Sequence, residues 1–253
     1  MSNSKEPLIT IITVTYNADR YLSQTIESII SQTYKNIEYI VIDGGSTDGT
    51  LDIIKSYEEY ISFWSSEPDD GIYDAMNRGI LQATGDYIAF INADDWLESD
   101  AVELVADVGR DRDIGYIYGD LNQIRGDKCI GVHVADLSRY KQNTPIGHQS
   151  LFVRSDILKE MPFDMRYKIM SDYDSMIKLI KSGVSHHYIP KPLANFRKEG
   201  FSDISNPDRE RFLIQYRHFG ILRAIIGFIK ETRREPISTI VTYLVKLKKR
   251  VSI

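Results

Sequence analysis

Three carboxylate-bearing turns and one further acid carry the chemistry in this chain. Asn92-Ala93-Asp94-Asp95 closes an apolar run, 87–91. A pair of acids there suits a hard divalent cation, Mg²⁺ or Mn²⁺, which keeps several waters and takes its other ligands from phosphate oxygens. Asp94 and Asp95 are the metal candidates, and capping of the next helix is the plain alternative. Asp43, in VIDGGSTDGT, closes another apolar run. An acid in that place can accept hydrogen bonds from a nucleoside, and Gly44 and Gly45 let a ligand approach the backbone closely. In DDGIYDAMNRG, residues 69–79, Asp70 and Asp74 favour a helix dipole and Met76 reads as core, while Asn77 and Arg78 have no evident structural duty. Asp172, in IMSDYDSMIKLIKSG, is either the cap of a helix or a base for an attacking hydroxyl. His148 and Gln149 in a loop, and Arg197 and Lys198 in FRKEGFS, are candidates for diphosphate or acceptor contact, the latter pair from a mobile loop. His186-His187 stands too isolated to propose as a metal site.

The elements that must position these residues alternate in type. Runs 8–15, 37–42 and 87–91 are β-branched and nearly continuous, as strands buried on both faces are. Between them lie helical stripes. Leu22, Ile26, Ile29 and Ile30 form one, with Asn17 as its cap. Ile53, Ile54, Tyr57 and Ile61 form a second that opens at Ser46 or Thr47, and a short strand at 62–66 leads into a third helix over 72–83. Such alternation implies right-handed βαβ units on a mostly parallel sheet, with ligands gathering at the carboxyl ends of the strands. The polar clusters at 13–17, 43–48 and 92–95 all fall at those ends, which makes one site of three loops. Further on, a strand at 115–119, a hairpin over 121–134, a turn at 144–147, a helix at 173–181 and a strand at 184–189 are expected.

The chain has 253 residues and a net charge of −5, but the charge is divided unevenly. Residues 206–253 hold eleven Lys/Arg against four Asp/Glu, and residues 1–205 hold 20 against 32. An acidic body argues strongly against nucleic acid as the partner. The C-terminal stretch reads as helical and amphipathic from Arg209 onward, interrupted at Pro236, with Lys246, Lys248, Lys249 and Arg250 near its end. Its alternatives are a peripheral membrane contact, a helix docked on the body, or a homodimer contact. A single cysteine, Cys129, fits a reducing cytoplasm. No signal-peptide pattern and no apolar run long enough to span a bilayer is present. The expected location is therefore cytoplasmic, with the inner membrane face as a possible station.

The series TVTYN, VIDGGSTDGT and DGIYDAMNRGI followed by ATGDYIAFINADD resembles glycosyltransferase family 2, inverting enzymes of the GT-A fold. The resemblance covers about residues 8–205, and IYGD and GHQSLFVR are similar to bacterial enzymes that build capsule, exopolysaccharide or O-antigen units. It implies a GT-A α/β domain over 1–205, with a nucleotide-binding half to about 115 and an acceptor half from 116. A basic helical extension occupies 206–253. It implies that Thr13, Val14, Thr15, Tyr16, Asn17, Asp43, Gly71, Asn77, Asn92, Ala93 and Asp94 hold the nucleotide of a nucleotide-sugar donor, expected to be a UDP-sugar. Asp94 matches the last acid of the family's DxD metal motif, whose first acid is Asn92 here. Asp172 falls on the family's catalytic base, with Ser171 in place of the usual Glu before it. The implied acceptor is a saccharide, free or linked to polyprenyl diphosphate. No Gln-x-x-Arg-Trp stretch is present, which argues against a processive synthase. Two rivals stay open: a nucleotidyltransferase, for which TVTYNADRY lacks the Gly-rich basic loop, and a catalytically silent sugar- or nucleotide-binding module.

Overall fold

The run at 8–15 becomes β1 (Ile9–Thr15), buried along its whole length. The structure is a computed structural model that describes residues 6–198 and 207–231. Parallel to β1 lie β2 (Ile37–Asp43) on one side and β4 (Tyr87–Phe90) on the other, and β3 (Phe63–Ser66) extends the sheet beyond β2. The connections α1 (Leu22–Ile30), α2 (Thr50–Ser56) and α3 (Ile72–Gln82) return the chain each time to the same end. All four strands therefore stop at one edge of the sheet.

The second half adds β5 (Trp96–Leu97), α4 (Ala101–Gly109), β6 (Tyr116–Arg125), β7 (Lys128–His133), β8 (Leu151–Arg154), α5 (Ser155–Glu160), α6 (Ser171–Ser182) and β9 (His186–Arg197). The strand order is β3-β2-β1-β4-β8-β6-β9-β5, with β7 beside β6. β8 runs antiparallel to β4 and β6, so the parallel character of the first half gives way to a mixed sheet. Period-2 alternation divides the core between two faces. Ile9 and Ile11 pack with α1, α2 and α4, whereas Ile12 and Val14 pack with α3, α5 and α6.

Several elements differ from expectation for local reasons. Asn17 caps nothing: it adopts φ 48°, and α1 starts at Leu22 after Tyr21. α2 begins at Thr50 rather than 46 or 47 because the Ser46 hydroxyl is bound to Asp43. The strand at 115–119 and half of the hairpin are one strand, β6, paired along most of its length with β9. β9 itself continues to Arg197, so of the pair expected in a mobile loop Arg197 belongs to the sheet and Lys198 follows it directly.

The described residues 207–231 belong to a second compact unit. In it α7 (Asp208–Phe219) and α8 (Ile221–Glu231) are divided at Gly220, whose φ of 82° suits glycine. The expected break at Pro236 and the basic cluster at 246–250 lie outside the described residues. No helix among the described residues is long and apolar enough to cross a membrane.

α3 lies so close to β1 that a Cβ on Gly79 would stand 2.6 Å from Ile12 Cγ2, a branched methyl with little freedom. Gly79→Val is expected to cost about 1–3 kcal/mol of stability by overpacking, read as a lower midpoint in chemical denaturation.

Candidate active site

Register brings Thr15, Asp43 and Ser66 side by side at the ends of β1, β2 and β3. Asp43, expected to face a nucleoside, is turned inward instead. Its Oδ2 accepts from the backbone N–H of Gly45 (3.0 Å) and Ser46 (2.9 Å) and from the Ser66 hydroxyl (2.6 Å). The Ser46 hydroxyl donates to Oδ1, and Asp43 is 1% exposed. It organises the turn and leaves little for a ligand. The acid on this rim is Asp69. A Cβ on Gly44 would stand 2.5 Å from Asp69 Oδ2, so the absent side chain of Gly44 is what lets that carboxylate in. Asp69 Oδ1 accepts from the Gly71 N–H at 2.9 Å, and Oδ2 has no hydrogen-bond partner among the described residues. Sequence reasoning passed over Asp69 because an acid before a helix reads as a dipole partner. The signal was Gly44, which stands where many strand-end turns carry a side chain.

The 13–17 stretch divides as well. Thr13 and Val14 are core residues, and Tyr39 donates its hydroxyl hydrogen to Thr13 Oγ1 at 3.1 Å. Thr15 Oγ1 is buried without a partner, while Tyr16 is 63% exposed on the rim. Asn17 ties two loops together: its N–H donates to Ser46 Oγ (2.8 Å) and its Oδ1 accepts from the Thr47 N–H (2.9 Å).

The 92–95 turn sends its two acids in opposite directions. Asp95, a metal candidate on sequence, is fully buried, with Oδ2 bound to Gln149 Nε2 (2.7 Å) and Oδ1 to the Arg197 N–H (2.9 Å). It is a structural acid, and burial followed by the charge on Asp94 pushes it up to about 7. Asp94 faces the cleft; burial raises its carboxyl too, against the opposing charges of Arg197 and His148. Asn92 Oδ1 is buried with no partner. Asp94 and this orphaned amide oxygen suit a Mg²⁺ or Mn²⁺ ion that draws its remaining ligands from a diphosphate and water. No cluster of three His, Cys, Asp or Glu side chains exists among the described residues, so the donor set does not form a closed metal site.

Across the cleft, Asp172 sits in the first turn of α6, one residue inside the helix rather than at its cap. His148 joins the two sides. The Asn92 amide nitrogen lies 3.2 Å from His148 Nε2, and His148 Nδ1 lies 3.6 Å from Asp172 Oδ2. An amide N–H can only donate, so Nε2 accepts and the ring hydrogen of the neutral tautomer sits on Nδ1, toward Asp172. Burial works to lower the imidazole, but the Asp172 carboxylate beside it and the nearby charges of Asp95 and Asp94 raise it overall. An apolar cavity of about 30 Å³, walled in part by Phe90, Val153, Phe163 and Met176, opens beside His148 and Asp172. Polar support for the Asp172 carboxylate therefore comes from His148 and from the Tyr73 hydroxyl, 3.0 Å from Oδ1.

Four other candidates turn out to be braces. Gln149 is consumed by Asp95. Asn77 clamps the backbone of Phe163 through its N–H (2.9 Å) and its carbonyl (3.0 Å). Arg78 bonds Asp74 (2.7 Å) and the Pro68 carbonyl (3.2 Å), fixing the start of α3. Lys198 lies over the Phe196 ring. Arg197 is no loop arm: 6% exposed, its guanidinium stacks on Tyr21 (4.0 Å) and Trp96 (5.0 Å) and donates to the Asp94 carbonyl (3.2 Å) and to Gln24 Oε1 (2.8 Å). It is a fixed cation beneath the 92–95 turn. Gly71 (φ 111°) opens α3, and a Cβ there would meet nothing within 4 Å. Ala93 is buried in the turn.

A parallel half-sheet with its polar strand ends at one edge, continued by a mixed second half, is an arrangement of the GT-A type. The chain belongs to glycosyl transferase family 2, whose family model matches residues 10–162. It is 32% identical over 207 residues to a PGL/p-HBAD biosynthesis glycosyltransferase of Mycobacterium bovis, covering 79% of this chain and 80% of that one. Among solved structures it is similar to residues 1–349 of S. aureus TarS in complex with UDP-GlcNAc (TM-score 0.68, 16% identity, 88% of this chain and 70% of that one). It spans 42% of a longer TarS chain. It is also similar to the mannosyltransferase PcManGT of Pyrobaculum calidifontis in complex with GDP-Man and Mn²⁺ (TM-score 0.59, 18% identity, 92% and 66% covered). At these identities the likeness to the two structures is one of fold.

The two rim acids separate by experiment. Asp43→Ala strands buried donors and is expected to cost at least about 2 kcal/mol, whereas Asp69→Ala stays within about 0.5 kcal/mol of the parent; urea unfolding curves of both variants check this.

Proposed function

We propose that the chain transfers one sugar, with inversion, from a UDP-sugar to a saccharide hydroxyl during assembly of a bacterial surface polysaccharide or glycolipid. The observation that carries this reading is the link Asn92–His148–Asp172, which brings the turn that bears Asp94 and the carboxylate of Asp172 to one imidazole. The TarS structures with UDP and UDP-GlcNAc and the PcManGT structure with GDP-Man and Mn²⁺ support donors of this class for this fold.

In this reading the exposed Tyr16 ring and Asp69 Oδ2 receive the nucleoside, and Asp94 with Asn92 Oδ1 holds the ion. When bound, Mg²⁺ or Mn²⁺ neutralises charge on the departing diphosphate. The fixed positive charge of Arg197 beneath the turn acts in the same sense on the diphosphate. Asp172 takes the proton of the acceptor hydroxyl as the new bond forms through an oxocarbenium-like state, and a single base on the face opposite the leaving group inverts the anomeric centre.

Asp172→Asn is expected to lower UDP release from a UDP-sugar by about 10²–10⁴-fold while UDP still binds. Full activity of this variant sinks the base assignment. Removal of divalent ions with EDTA is expected to abolish turnover, and Mn²⁺ or Mg²⁺ to restore it; turnover indifferent to both sinks the metal. Asp69→Ala and Gly44→Ala, the second by displacing the same carboxylate, are each expected to weaken UDP binding about tenfold, as measured by calorimetry.

We also propose that the C-terminal unit rests on an anionic membrane, where a polyprenyl-diphosphate-linked acceptor resides. On α8, Leu222 is 76% exposed and Ile226 46%, and residues 206–253 carry eleven basic against four acidic side chains. Sedimentation with phosphatidylglycerol vesicles is expected at low salt, reduced by Leu222→Glu/Ile226→Glu and absent with phosphatidylcholine alone. Equal binding to both vesicle types, or none to either, overturns the proposal.

A further inference from the structure

The mechanism above leaves the phenol of Tyr73 beside the base without a task. Tyr73 lies in the first turn of α3, 6% exposed, with its ring 5.4 Å from that of Phe163. Its hydroxyl is 3.0 Å from Asp172 Oδ1 and 2.8 Å from the carbonyl oxygen of Ile169. A phenol carries one hydrogen, so it donates to one of these acceptors at a time and holds the other in reserve. A brace between α3 and the segment before α6 would need the Ile169 carbonyl alone.

We propose that Tyr73 is the positioning residue of the base: it holds Asp172 through Oδ1, leaves Oδ2, which stands 3.6 Å from His148 Nδ1, open to the acceptor hydroxyl, and shifts its hydrogen to the Ile169 carbonyl once Asp172 is protonated. This rests on Asp172 being the base. As the acceptor oxygen bonds to the anomeric carbon, the bond from that carbon to the diphosphate oxygen breaks and the leaving group keeps the electron pair. The acceptor's proton passes to Asp172 Oδ2. Oδ1 is then the carbonyl oxygen of a neutral acid and a weaker acceptor, and the Ile169 carbonyl receives the phenol hydrogen. The buried hydroxyl is satisfied before and after the transfer, so the proton moves without stranding a polar group.

A double-variant cycle on the full chain tests this, with Tyr73→Phe, Asp172→Asn and their combination. UDP release is followed from whichever of UDP-glucose, UDP-galactose and UDP-GlcNAc the parent turns over fastest, and UDP binding is measured alongside. Tyr73→Phe is expected to lower kcat about tenfold or more, with the donor KM and UDP Kd within about twofold of the parent. In the Asp172→Asn background the same change is expected to cost less than about twofold, because the group it positions is gone. An equal loss in both backgrounds, or an unchanged kcat in Tyr73→Phe, overturns the proposal. Should Tyr73→Phe fail to fold, 3-fluorotyrosine at position 73 keeps the shape and alters the donor; a kcat identical to the parent then overturns it. Full turnover by Asp172→Asn removes the base itself, a different failure from an inactive Asp172→Asn beside an unimpaired Tyr73→Phe.

Discussion

The arrangement of the cleft depends on the buried carboxylate of Asp95. Its two oxygens hold the side chain of Gln149 and the backbone of Arg197, and its carbonyl accepts from the Thr25 hydroxyl at 2.7 Å. Segments 54 and 102 residues away in the chain are thereby tied to the turn that carries Asp94. A buried carboxylate costs free energy unless it is well bonded or protonated, and burial together with the charge on Asp94 raises Asp95 above the ordinary carboxylate range. Two acids adjacent in sequence thus divide the work. Asp95 builds the turn and Asp94 is presented by it. His148, the residue before Gln149, reaches the cleft because its neighbour is anchored.

The fold was legible where the hydrophobic pattern was long and regular. The continuous apolar runs ending at Thr15, Asp43 and Phe90, separated by helical stripes, admit little besides a parallel sheet, and their polar ends mark the ligand edge. The second half was harder. β8 has four residues, and β9 reaches Arg197 through a sequence with two prolines, so neither carries a periodic signal.

The site was legible as a place more than as a set of roles. Asn92, two residues before Asp94, and Asp172 meet through His148. Asp43, Asp95, Asn77, Arg78 and Gln149 are polar residues at strand or helix ends, as ligand contacts also are. What separates the two groups is whether a backbone donor or a side chain from a distant segment consumes the polar atoms. Those partners lie 54 residues from Gln149 and 86 from Asn77. No local pattern contains that information for these two, whereas the partners of Asp43 in its own turn and of Arg78 in its own helix are near in sequence. Asp69 was hidden for the converse reason, since its access depends on what Gly44 lacks.

The first turn of α3 has a mechanical consequence. Gly71, at its start, is bonded to Asp69 on the donor rim, and Tyr73, two residues on, touches Asp172. A single rigid lever therefore spans both halves of the cleft, pinned by Arg78 at one side and by Asn77 against Phe163 at the other. On the proposed reading, a nucleotide at the Asp69 rim and the carboxylate of Asp172 lean on the same helical turn, so the spacing between the two is set by α3 and not by a loop.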